Sequence, residues 1–170
     1  MYRPENTSGF SGSRPGGVIA VTWAALVAIG ADGYRERAKR IYESARKIRD
    51  GVAKIRGLKV WGNPPAMVVS WGSDELNVFA INDRMAHMGW SLNPIHRPAG
   101  MHICVTNRTA GREEDLLRDL AKAVEEVRAD PTTAKQGNAP VYGMAQSFPD
   151  RGTVKDLTQG YLDVLFEVAK

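Results

Sequence analysis

The chain has 170 residues, 43% of them apolar, with 23 Lys and Arg against 19 Asp and Glu, for a net charge of +4. That is enough for one domain with arms and a real core, and the mildly basic balance admits an anionic ligand without making a case for nucleic acid. The single cysteine, Cys104, excludes an internal disulfide and fits a reducing compartment, so a cytoplasmic location is expected.

Residues 1–14 are polar, hold Pro4 and Gly9, and predict an extended arm with Tyr2 near its tip. Gly12-Ser13-Arg14-Pro15-Gly16-Gly17 then runs straight into the apolar stretch 18–31. Pro15 suits the first position of a helix, where its lack of an N–H costs nothing. The glycines allow close approach to the backbone, and Ser13 and Arg14 offer a hydroxyl and a guanidinium beside the positive pole of the helix. These parts suit a phosphate; they also suit a plain N-cap with a glycine turn. The helix should run over 15–29, apolar nearly all round and therefore buried on more than one side. The run is too short to span a bilayer, and it reads as a buried helix rather than an export leader.

Gly30 and Gly33 punctuate the chain before a second helix over 32–56. Tyr34, Ala38, Ile41, Ala45, Ile48, Val52 and Ile55 form its apolar stripe, and the arginines and lysines opposite read as a solvated face. Strands are expected at 58–61 and 67–71 around the turn Gly62-Asn63-Pro64-Pro65, as neighbouring antiparallel partners. A helix should start at Ser73 or Asp74 and close near Gly89, with Val78, Ile81 and Met85 inward. Strands follow at 90–95 and 101–106. In the latter, Met101, Ile103 and Val105 should face the core, and His102, Cys104 and Thr106 the other side. Cys104 shows no local sign of activation and is expected to be buried. The helix over 112–129 turns Leu116, Leu120, Ala123, Val124 and Val127 inward. Residues 130–149 read as a loop, long enough to be functional or a linker, holding the apolar island 141–146. A last helix covers 150–169.

The sum is an α/β (α+β) unit: about four mostly antiparallel strands covered by helices. Its organisation is an arm (1–14), connector helices (15–56), the sheet with its helices (57–130), and a loop and C-terminal helix of the same domain (131–170). No metal site is expected, since His87, His96 and His102 have neither ligand spacing nor an acidic partner nearby. No residue is assigned a catalytic role.

Taken together, GSRPGG, the Gly62-Asn63-Pro64 turn, Gly89-Trp90-Ser91-Leu92-Asn93, Met101-His102-Ile103-Cys104-Val105-Thr106 and Tyr142-Gly143-Met144-Ala145-Gln146 resemble the C-terminal part of the sphingosine-1-phosphate lyases. These belong to the pyridoxal-phosphate (PLP) decarboxylase-like enzymes, and the likeness runs from about Ser11 to about Phe166. The resemblance implies the small C-terminal domain of a fold-type-I PLP enzyme, with the first helix as connector. It implies PLP as cofactor, with Ser13, Arg14 and Gly16 binding its phosphate, and Tyr2 and Tyr142 near the substrate. The substrate would be a phosphorylated long-chain amino alcohol, cleaved to a fatty aldehyde and phosphoethanolamine. Such enzymes hold PLP on a lysine that follows a histidine; no His-Lys pair occurs here. The chain alone is therefore expected to be inactive, working in a homodimer or with a separate large-domain chain. A PLP-dependent amino-acid decarboxylase and a non-catalytic binding module that kept the fold are the alternatives. No nucleic acid partner and no transmembrane segment are expected.

Overall fold

The core is organised by two five-residue strands, β2 (Val68–Gly72) and β4 (Gly100–Cys104), which pair antiparallel in the register Val68↔Cys104 to Gly72↔Gly100. In the computed structural model the described residues are 15–63, 65–132, 137, 139, 140, 143, 152, 156, 159, 160, 162–164 and 166. β1 (Lys59–Val60) flanks β2, and β3 (Asn93–Ile95) flanks β4, giving an antiparallel four-stranded sheet in the order β1-β2-β4-β3. Successive side chains on a strand point to opposite faces. Val69, Trp71, Met101 and Ile103 accordingly face a buried side, while Val68 and Cys104 are exposed.

That buried side is covered by α2 (Val78–His87) and α3 (Glu113–Ala129). α2 contributes Val78, Phe79, Ala80, Ile81 and Met85; α3 contributes Leu116, Leu120, Ala123, Val124 and Val127, the α3 set at the spacing of one helix face. Emptying one such site, as in Leu120→Ala, costs about 2–5 kcal/mol in comparable cores. α2 starts later than Ser73 or Asp74. The Ser73 hydroxyl instead closes a turn by accepting from Glu75 and Leu76 amides at 3.1 and 2.9 Å, and the Asn77 Oδ1 caps the helix by accepting from Phe79 and Ala80 amides.

The chain divides into two compact units, one ending at Lys39 and one beginning at Arg40, within a helix, α1 (Gly16–Val52). In the second unit the C-terminal part of α1 packs into the sheet's core through Ala45, Ile48 and Val52. Gly51 lies so close to Leu117 of α3 that a Cβ there would sit 2.6 Å from Leu117 Cδ2. Of the expected stripe on this helix, Tyr34 is exposed and Ile41 and Ile55 are half-buried; the helix stops at Val52, short of residue 56. In the first unit α1 leaves helical geometry at Gly30 (φ 65, ψ 172), the break its glycine foretold. Residues before it were expected to be buried. They are not: Val18, Ile19, Val21, Trp23, Leu26 and Val27 are all exposed, and apart from Pro15 every described residue of that unit belongs to the helix itself.

Behind the sheet, Trp61 lies over Gly72 and Gly100. A Cβ on Gly100 would fall 2.7 Å from Trp61 Cζ3 and 2.7 Å from the Trp71 carbonyl oxygen. These two glycines are thus required by close packing, and Trp61 extends the β1–β2 pairing by donating to the Ser70 carbonyl at 2.9 Å. The expected C-terminal helix falls mostly outside the described residues; those described at 152, 156, 159, 160 and 162–164 are helical. The expected island 141–146 lies outside them as well, except Gly143.

Two outcomes follow for stability. Gly100→Ala forces overlap with both a ring and a backbone oxygen, and should destabilise the chain by about 1–3 kcal/mol, read as a lower urea midpoint. Asp119 accepts from the Trp90 indole N–H at 2.9 Å; that bond, with Arg118 beside it, holds the Asp119 carboxyl below its ordinary value although burial opposes. A depressed folded pKa gives stability that is complete above the unfolded value of about 3.9 and is lost as pH falls through the folded one. Asp119→Asn should therefore flatten the acid limb of a stability–pH curve below about pH 4.

Candidate functional site

The anion site expected from the sequence falls at the start of α1. The helix begins at Gly16, one residue after the expected Pro15, whose carbonyl accepts the Val18 amide at 3.0 Å. Its first turn, Gly16-Gly17-Val18-Ile19, carries no acidic residue. A Cβ at Gly16 or Gly17 would meet nothing within 4 Å. The first amides of a helix have no partner within it and point outward at the positive end of the dipole. A helix start of this kind suits an anion such as a phosphate group. Gly16 is the one predicted site residue among those described; Ser13, Arg14, Tyr2 and Tyr142 lie outside them.

The start of α3 makes the contrast. Glu113, Glu114 and Asp115 occupy its first turn, and the Glu113 carboxylate accepts the Gly111 amide at 3.1 Å. Burial would raise the Glu113 carboxyl, but bonds from its own amide and that of Gly111, with Lys47 nearby, outweigh it and hold it low. Between this turn and Arg40, Glu43, Ser44 and Lys47 of α1 runs a polar groove of about 520 Å³. Its helix end is already supplied with negative charge, so it is no phosphate site. The signal is legible in Gly111-Arg112-Glu113-Glu114-Asp115, where three acids follow a glycine at the helix start.

The other candidates fall into place by packing. His102 is half-buried on the sheet face opposite the core, in register with Ser70 and Asn93 on either side. Cys104, expected to be buried, is exposed, because it ends β4 on that same uncovered face. The His96 ring stands 6.0 Å from the Phe79 ring. On the basic face of α1, Arg35 pairs with Asp32, Arg40 donates to the Ala110 carbonyl at 2.9 Å, and Arg49 bonds Asp50 and Asn63. These local partners fit a solvated face. Among the described residues no cluster of His, Cys, Asp and Glu could hold a metal ion.

Among the described residues one helix, α1, is long and apolar enough by composition to cross a membrane, and none of that window is buried. The segment 16–29, ahead of the Gly30 break, would rise only about 21 Å against a hydrocarbon core of about 30 Å.

Comparison with known proteins finds relatives along most of the chain. No family model matches the sequence. The sphingosine-1-phosphate lyase of Oryza sativa subsp. japonica is 44% identical over 153 residues, that of Dictyostelium discoideum 42% over 155, and the probable sphingosine-1-phosphate lyase of Legionella pneumophila 30% over 151. These alignments take in 90%, 91% and 81% of this chain but only 28%, 29% and 25% of the relatives. The chain thus spans less than a third of the length of the curated relatives it matches. Among solved structures, the sphingosine-1-phosphate lyase of Burkholderia pseudomallei superposes with a TM-score of 0.65 at 36% identity, covering 84% of this chain and 32% of that one. The chain is a homologue of the sphingosine-1-phosphate lyases along nearly all of its own length.

The uncovered apolar residues of α1 have a direct consequence for the chain by itself. Sedimentation should show it self-associated, and Val21→Glu with Leu26→Glu should shift it to smaller species. A clean monomer of the unsubstituted chain would contradict this.

Proposed function

We propose that this chain acts as the small domain of a PLP-dependent carbon–carbon lyase. Its substrate would be a phosphorylated long-chain amino alcohol, cleaved to a fatty aldehyde and phosphoethanolamine. The observation that carries this reading is the 44% identity across 90% of the chain, matched to 28% of the relative. The lysine that anchors the cofactor is supplied from outside these 170 residues, since none of the chain's lysines follows a histidine. The chain alone is inactive, and it works in the cytoplasm, as one unpaired cysteine suits.

PLP, when bound, withdraws electrons from the bond being cleaved. The work of this chain is binding and orientation. Gly16 and Gly17 bring the bare amides of α1 within reach of a phosphate, with Ser13 adding a hydroxyl and Arg14 a charge-assisted donor. Tyr142, and Tyr2 from the arm, contact the substrate. The apolar side of α1 around Trp23 and Leu26 docks on the large domain, as part of a dimer or as a separate chain.

Co-expression with the large-domain portion of a plant relative should yield a yellow complex that releases fatty aldehyde from a phosphorylated sphingoid base. In that complex Ser13→Ala should weaken cofactor binding by about 10- to 100-fold, the worth of one hydrogen bond to a charged group. A stable complex that binds PLP but decarboxylates an aromatic amino acid instead would favour the decarboxylase. A soluble chain that never takes a partner would leave a binding module.

A further inference from the structure

We propose that Gly30 is a joint in α1 with two settings, the bent one described above and a continuous helix, and that docking of the segment 16–29 selects between them. The consequence for phosphate binding rests on the reading just given for Gly16; the joint itself does not.

Gly30 stands at φ 65, ψ 172 inside a helix of 37 residues. A left-handed helix cap would have ψ at about 47°. The angles at Gly30 are instead those of a region that residues carrying a Cβ do not enter without strain. Bulk does not explain the glycine: beyond the helix's own backbone, a Cβ there would meet no atom of the described residues within 4 Å. What the position requires is the angle. Gly33 serves the same bend by its size. A Cβ on Gly33 would fall 2.9 Å from Ile29 Cγ2, so the residue before the joint rests closely on the chain just after it. Asp32 pairs with Arg35 at 2.5 Å, which puts an acid in the first turn of the segment that restarts, as an independent helix start favours.

Glycine also makes the second setting accessible. It is indifferent to the sign of φ, and it is a poor residue for a helix interior. The bend therefore costs little and the continuous helix gains little, so the two lie close. Among the described residues no packing decides between them. Val18, Ile19, Val21, Trp23 and Leu26 are exposed, and every described residue of their unit but Pro15 belongs to the same helix. The choice falls to the surface on which these apolar side chains dock. The lever is long: 16–29 runs about 21 Å, so a turn of about 20° at Gly30 carries Gly16 about 7 Å. A binding constellation tolerates about 0.5 Å. The amides at Gly16 thus meet a phosphate only in the setting that docking imposes.

The test places spin labels on the full chain at Ala20→Cys and Arg37→Cys, both exposed positions, with Cys104→Ser removing the exposed native thiol. Labelled chain is diluted into unlabelled chain, so that only distances within one molecule are read. The two sites are 17 residues apart, about 26 Å in an unbroken helix. The distance distribution should hold two components, one at about 26 Å and one clearly shorter. Gly30→Ala, which cannot keep the observed angles, should leave the longer one alone; Gly30→Pro, which cannot continue the helix, should leave the shorter. Assembled with the large-domain portion, the unsubstituted chain should show one component, and Gly30→Ala should hold PLP about tenfold less tightly. A single component in the free chain, two components that Gly30→Ala leaves unchanged, or undiminished PLP retention by assembled Gly30→Ala would overturn the proposal. An unsubstituted assembly that takes up no PLP would instead defeat the proposed function, leaving the distances in the free chain to decide the joint.

Discussion

Burial of one sheet face under α2 and α3 is the interaction on which the second unit depends. Trp71, Met101, Leu116, Leu120, Ile81 and Met85 meet there with almost no exposed surface. Removing apolar area from water is the main favourable term in folding, and a core of this kind concentrates it in one layer. The polar devices around it act as fasteners. Asn77 caps α2, Trp90 is tied to Asp119 and stacked by the Arg112 guanidinium at 4.5 Å, and Asp83 holds Ala139.

The same one-sidedness separates stability from function. Among the described residues the helices cover one face of the sheet, and the opposite face keeps Ser70, His102 and Cys104 at least partly open, with Trp61 lying over its two glycines. The first part of α1 is likewise apolar without cover. Surfaces of this composition are ordinary in a portion of a larger assembly and costly in a free-standing protein. They agree with the match to less than a third of each relative.

The two helix starts differ in what they can receive. That of α3 is neutralised by its own carboxylates, and the low Glu113 pKa is the electrostatic record of it. That of α1 has no acidic residue in its first turn, opens with two glycines and follows a serine and an arginine in the sequence. A helix dipole does not distinguish substrate from side chain; the residues in the first turn do.

Periodicity alone determined much of the fold. The stripes of α2 and α3, the alternation of β4, the β1–β2 pairing and the break at Gly30 were all legible, because each follows from where neighbouring side chains must point. The motifs, read together, also disclosed the kinship with the lyases. Three things waited for the tertiary structure. Cys104 is exposed because, among the described residues, the helices cover only the other sheet face, which no local pattern reveals. α2 starts at Val78, capped by Asn77, because Ser73 spends its hydroxyl on a turn. Asp83, an unremarkable helical acid in the sequence, acquires its role only when residues 56 positions apart meet. Local order is set by bonds a few residues long; burial, and the satisfaction of a buried amide, depend on what the rest of the chain brings alongside.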